Sequence, residues 1–192
     1  MSSGTPHLRL CPPPGSDPAI TVHEVPVLPA PLTIERLFSE YAGYVATVVL
    51  RVLGRDHEVD DVVQEVFLDA MSGLHAVHNP AAVRGWLKTI AVRKACRHLQ
   101  KRRVRALLGL ERDCCYEHIA DSGCGPEDRA LLGRVYRQLD TLPVGDRVAW
   151  TLRHVDGEPL ETIATLCGCS LATVKRRISA AQAVLERKLR HG

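Results

Sequence analysis

Apolar positions in this chain recur with the period of an α-helix, and strand-like alternation is scarce. Between Glu58 and Ala70, in EVDDVVQEVFLDA, the residues Val59, Val62, Val63, Val66, Phe67 and Ala70 fall at offsets 0, 3, 4, 7, 8 and 11, which is one face of a helix. The other face carries Asp61, Gln64, Glu65, Leu68 and Asp69. Asp61, Glu65 and Asp69 are like charges at successive i,i+4 spacings, each pair costing roughly 0.2 to 0.5 kcal/mol. A solvated acidic face is the commoner meaning of such charges, but it does not explain a leucine in their midst. This face therefore reads as a docking surface.

The same period marks the other elements. Thr33 is a plausible N-cap for a helix with Leu37, Tyr41, Tyr44, Val45, Val48 and Val49 on one side, broken at Gly54 and Asp56. After the acidic helix, Gly73 and Asn79-Pro80 mark a loop from His75 to Ala82, because proline lacks a donor and disfavours α geometry in the residue before it. Val83, Trp86, Leu87, Ile90, Ala91, Ala95 and Leu99 then form an apolar face that leaves Arg84, Lys88, Arg93, Arg97 and Lys101 to project outward. Further on, Leu131, Leu132, Val135, Leu139 and Leu142 begin another helix that Pro143 ends; Asp146 can cap the next, with Val148, Ala149, Leu152 and Val155, stopped by Asp156-Gly157. A helix-turn-helix closes the chain: Pro159 suits a first helical turn, Leu160, Ile163, Ala164 and Leu166 pack inward, Gly168 takes the positive φ of the turn, and Ser170 caps a helix bearing Val174, Ile178, Ala181, Leu185 and Leu189.

Composition agrees with an all-α fold of two small helical domains, since aromatic residues are only 4% of 192 residues and leucine, valine and alanine dominate. The formal net charge of +3 conceals a separation along the chain. Residues 31–69 hold three Arg/Lys and eight Asp/Glu, a net −5, whereas residues 70–110 hold nine basic residues and no acid, a net +9. That many unrelieved positive charges call for a polyanion, and nucleic acid is the obvious one. No basic start followed by an apolar run is present, and no stretch approaches the roughly 18 apolar residues of a membrane helix, so a cytoplasmic protein without membrane insertion is expected. The seven cysteines form an odd set that suits reduced thiols.

These residues carry a resemblance. Asp60-Asp61-Val62-Val63-Gln64-Glu65-Val66-Phe67-Leu68 resembles the D-x-x-Q-E-x-F-L core of region 2.2 in bacterial sigma-70-type factors, the helix laid against the β′ clamp helices of RNA polymerase. Trp86-Leu87-Lys88-Thr89-Ile90-Ala91 and the Lys/Arg run after it are similar to regions 2.3 and 2.4, which melt the −10 promoter element and hold its non-template strand; Val92-Arg93 stands where the usual pattern has Arg-Asn, and Arg97 replaces a frequent Asp. Leu139 to Pro143, Glu161 to Ala164 and Ala172 to Arg177 follow in the order of region 4, with Ala180 and Gln182 where basic residues are frequent. Two regions with a short linker resemble the extracytoplasmic-function (ECF) subfamily. The resemblance implies promoter recognition, with core polymerase (β′ clamp helices and β flap), promoter DNA and an anti-sigma factor as partners, and no cofactor.

On that basis a disordered Pro-rich tail spans 1–31, region 2 spans 32–105, a linker 106–127 and region 4 128–191. The residues expected to bind polymerase are Asp61, Gln64, Glu65 and Leu68; those for the −10 region are Arg84, Lys88, Arg93, Arg97 and Lys101; those for the −35 region are Ser170, Thr173, Lys175, Arg176, Arg177 and Ser179. Within the last group, Thr173, Arg176 and Ser179 point toward base edges while Lys175 and Arg177 lie nearer phosphates. Cys114, Cys115, His118 and Cys124 lack paired C-x-x-C spacing, and Cys167-Gly168-Cys169 is better read as a turn, so no metal site is expected. No phosphate-binding glycine loop, paired-carboxylate site or nucleophile with a base is present, which leaves an enzyme without support. Two alternatives stay open: a helix-turn-helix regulator acting without polymerase, and a thiol or metal sensor on the same scaffold.

Overall fold

The computed structural model describes residues 33–54, 57–77, 79–110 and 125–190. The expected tail and most of the expected linker, with Cys114, Cys115, His118 and Cys124, lie outside them. Among the described residues there are seven α-helices and no strand: α1 (Ile34–Leu53), α2 (Val59–Gly73), α3 (Val83–Leu107), α4 (Pro126–Asp140), α5 (Val144–His154), α6 (Leu160–Cys167) and α7 (Leu171–Arg190), with 3-10 turns at Leu74–Ala76 and Pro80–Ala82. The fold is all-α, in two helical groups, α1 to α3 and α4 to α7.

Local chemistry sets the helix ends. Thr33 accepts a hydrogen bond from the Arg36 N–H at 3.3 Å, and Gly54, at φ 67°, closes α1 by donating to the Leu50 carbonyl at 2.7 Å. Asn79 caps the second 3-10 turn through Oδ1 to the Ala81 N–H at 2.9 Å, with Pro80 at its first position. Asp146 does not cap α5. The helix starts earlier, at Val144 directly after Pro143, which places Asp146 in its first turn, where a carboxylate still opposes the helix dipole favourably. The helix-turn-helix is built as expected: Gly168 sits at φ 59°, and the Thr173 N–H donates to Ser170 Oγ at 3.2 Å.

α1, α2 and α3 bury Leu37, Val45, Val49, Val62, Val66, Phe67, Leu87, Ala91 and Ala95 against one another. The core does not stop there. Val148, Ala149 and Leu152 of α5, Ile163 and Leu166 of α6 and Val174 of α7 belong to the same buried apolar cluster, so the second helical group lies on the first. Its own smaller core joins α4 to α7 through Tyr136, Leu139, Leu142, Ala181 and Leu185. Leu131, expected inside, is 46% exposed, because the inward positions of α4 are the i, i+4, i+7 set Leu132, Tyr136 and Leu139.

Candidate functional site

α2 presents its expected face. Asp61, Gln64, Glu65 and Leu68 are all exposed, Leu68 by 63%. Met71 one turn further and Phe38 of α1 are exposed as well, and the Phe38 ring meets Phe67 edge-on at 4.9 Å. Sequence reasoning missed Lys94 of α3, whose ammonium sits 2.9 Å from Asp69 and 3.5 Å from Glu65 and relieves the like-charge run. Asp61 is left as the acid at the open end of the face, in the first turn of α2.

The basic helix divides. Arg93, Arg97 and Lys101 are exposed, as expected. Arg84 is exposed too but lies over the Tyr44 ring, 4.3 Å from its centroid, a cation–π contact that fixes its direction. Lys88 does not project outward: its side chain is 11% exposed, and its ammonium is held by Asp156 and by Glu158 at 2.5 Å. Burial works against this charge, but the hydrogen bonds and fields of the two carboxylates outweigh it and raise the Lys88 pKa. Arg102, four turns along, reaches Glu58 at 3.2 Å and Asp140 at 2.5 Å. α3 is thus buried on two faces, one toward α1 and α2, the other, through Lys88, Val92 and Arg102, toward the second helical group.

Other polar links cross the same seam. Arg147 of α5, 2% exposed, donates to the carbonyls of Val52 at 3.2 Å and Leu53 at 2.7 Å and pairs with Asp140. Tyr136 donates to the Arg51 carbonyl at 2.7 Å, and Arg103 to that of Leu142 at 3.0 Å. Cys96 of α3 and Cys167 of α6, both half-buried, interact across the seam; burial pushes their thiols up to about 12 and about 11, which keeps them protonated at neutral pH.

On α7, Ser170, Lys175, Arg176 and Ser179 are exposed, while Val174 is buried and Thr173 half-buried with its hydroxyl 2.9 Å from Ser170 Oγ. Arg177 departs from expectation. Its guanidinium lies against Gly145, where an added Cβ would come within 2.9 Å, and it donates to Cys169 Sγ at 3.6 Å, so it braces the helix-turn-helix on α5. Among the described residues no group of side chains is arranged to hold a metal ion, and no helix is long and apolar enough to cross a membrane.

A helical bundle offering an acidic-apolar helix face and a basic helix, joined to a helix-turn-helix with an exposed reading face, is the arrangement of a two-part DNA-binding protein. The family follows from comparison. Residues 37–105 match the family profile Sigma-70 region 2, and residues 132–183 match Sigma-70, region 4. The ECF RNA polymerase sigma-E factor of Escherichia coli (strain K12) is 32% identical over 165 residues, covering 80% of this chain and 84% of that protein. The Xanthomonas campestris protein named "Probable RNA polymerase sigma factor RfaY" is 31% identical over 134 residues, and the chain spans 34% of that protein's length. Among solved structures, the sigma factor RpoE of Bartonella quintana, in complex with the anti-sigma factor NepR, shares the fold at a TM-score of 0.61 and 22% identity, over 81% of this chain and 96% of that one. CnrH, in complex with the cytosolic domain of CnrY, aligns at a TM-score of 0.54 and 26% identity, over 82% of this chain and 88% of that one. The chain belongs to the sigma-70 family of RNA polymerase sigma factors, in its ECF group.

Proposed function

We propose that this sigma factor binds core RNA polymerase through α2 and directs it to promoters whose −10 element is opened along α3 and whose −35 element is read by α7. The observation that carries the reading is Leu68, 63% exposed at the centre of an acidic helix face that no described helix covers. An apolar anchor ringed by charge is how a specific protein interface is built. Asp61, Gln64, Glu65 and Leu68 make the contact with the β′ clamp helices, and Lys94 holds Glu65 in place from behind. Region 4 rests on the β flap. Arg93, Arg97 and Lys101 track the phosphates of the opened strand. Arg176 and Ser179 face base edges, with Thr173 beside them, and Lys175 grips the backbone. RNA synthesis belongs to the polymerase and the protein works in the cytoplasm. An anti-sigma factor is the expected regulator, by likeness to CnrH, whose structure was solved with the cytosolic domain of CnrY.

A stand-alone helix-turn-helix regulator is disfavoured by the region 2 match, which would have no purpose in it. Co-elution tests the docking assignment. The wild-type chain should co-elute with core polymerase, and Asp61→Arg with Glu65→Arg should abolish this without loss of helicity. Co-elution of the double variant at wild-type strength would remove α2 from the interface.

A further inference from the structure

Between α3, the turn from α4 to α5 and the start of α5 lies a cavity of about 90 Å³ that the sigma reading does not use. Among the described residues, Arg102 and Arg103 of α3 and Arg147 of α5 line it against one carboxylate, Asp140, so three cations and one anion leave a net +2. Asp140 accepts from Arg102 at 2.5 Å and from Arg147; Glu58, which Arg102 reaches at 3.2 Å, lies outside the lining. Arg147 is 2% exposed, and its Nε–H is enclosed without a hydrogen-bond partner, a costly state for a donor on a charged group. Burial lowers its pKa and the field of Arg102 adds to this, against the pull of Asp140. Val144, which begins α5, lines the cavity as well, and the first N–H groups of a helix lack an intrahelical acceptor and carry partial positive charge.

Converging guanidiniums, an enclosed N–H without an acceptor and a helix start all ask for an anion. We propose that this cavity binds a phosphate group in its dianionic form, as free phosphate or as the end group of a phosphate monoester. Size and charge select that class. At roughly 30 Å³ per water the cavity has the room of about three waters, enough for one tetrahedral oxyanion. A phosphate monoester carries about −1.5 to −2 near pH 7 and so offsets the lining charge. A phosphodiester carries a single charge and continues in both directions, which a cavity of this size does not admit, so this is no site for promoter DNA. Arg103 is exposed, spends one N–H on the Leu142 carbonyl at 3.0 Å, and keeps other donors for the ligand. Bound there, the anion joins α3 to the start of α5, and the strength of the seam follows the concentration of the phosphate compound.

The probe is inorganic phosphate at constant ionic strength, added to the full chain without polymerase or DNA. Equilibrium dialysis should find one saturable phosphate per chain, and the Tm followed by circular dichroism should rise by roughly 5 to 10 °C at a hundredfold excess over Kd. Chloride should do neither. Arg103→Met, at an exposed position, should weaken binding on the order of tenfold or more and leave the Tm of the phosphate-free chain nearly unchanged, and Arg103→Lys should recover part of the loss. Arg97→Gln with Lys101→Gln, on the exposed face of α3, should alter neither readout. Competition separates the two sources: displacement of labelled phosphate by a nucleoside 5′-monophosphate identifies a monoester as ligand, and failure to displace it identifies free phosphate. Absence of saturable binding would overturn the proposal, as would binding that survives Arg103→Met and falls with Arg97→Gln and Lys101→Gln. None of these outcomes bears on the sigma reading, which transcription with core polymerase tests by itself.

Discussion

Gly54→Ala probes whether the second helical group truly rests on the first. Gly54 ends α1 in the left-handed region, at φ 67°, and a Cβ there would run into the ring of Tyr136, which is 1% exposed and donates to the Arg51 carbonyl at 2.7 Å. Three costs add. An L-residue in the left-handed region loses about 1 kcal/mol, displacement of a packed ring about 1 to 3, and loss of the tyrosine's hydrogen bond about 1. The sum is on the order of 3 to 5 kcal/mol, or a fall in Tm of roughly 6 to 20 °C for a helical body of this size. Only the first of these terms belongs to α1 itself; the other two exist because α4 lies across it. Thermal unfolding followed by circular dichroism, with Gly54→Ala made in wild type and in Tyr136→Ala, measures the difference. The substitution should cost about 1 kcal/mol in the second background, giving a coupling of about 2 kcal/mol or more. If Gly54→Ala costs the same small amount in both, Tyr136 does not sit on Gly54 in solution, and the seam is wrongly placed.

Two further outcomes follow. Arg176→Ala should relax preference at one or two positions of the −35 element, worth roughly 1 to 3 kcal/mol of discrimination, whereas Lys175→Ala should weaken all sequences alike; binding to a −35 duplex library decides, and an unchanged preference in Arg176→Ala reverses the two roles. Acid should loosen the seam. Burial opposes the charge on Asp156, but Lys88 and Arg51 outweigh it and lower its pKa below the ordinary 3.8, so its contribution is complete above that value and is lost as pH falls through the folded-state pKa. The urea midpoint should therefore hold from neutral pH to about 5 and then drop, less steeply in Asp156→Asn; an identical acid limb in the variant would show that Asp156 carries no such charge linkage.

What was legible in the sequence is what one helix decides by itself. The inward face of α2, the Thr33 and Ser170 caps, and Gly168 in the turn depend on neighbours within a few residues, and periodicity and capping chemistry report them. The seam was not legible, because its partners are far apart: Lys88 meets residues 68 and 70 positions away, and Arg102 one 38 away. A signal was nevertheless present. Val92 and Cys96 are apolar positions of α3 off the stripe of Val83, Leu87, Ala91 and Ala95, and with Lys88 and Leu99 they trace a second line down the helix at steps of three and four. A basic helix with two apolar lines is buried on two sides. The places of Tyr136 and Arg177 were hidden for a related reason, since each packs on a glycine, Gly54 and Gly145, whose lack of a side chain shows only when the second element is in place.

The central claim is that this chain confers promoter choice on RNA polymerase, and run-off transcription with core polymerase over a genomic promoter library tests it most directly. The account predicts transcripts from a discrete set of start sites that share sequence at the −35 and −10 positions, all lost with Asp61→Arg and Glu65→Arg. Transcripts no different from those of core polymerase alone would contradict it.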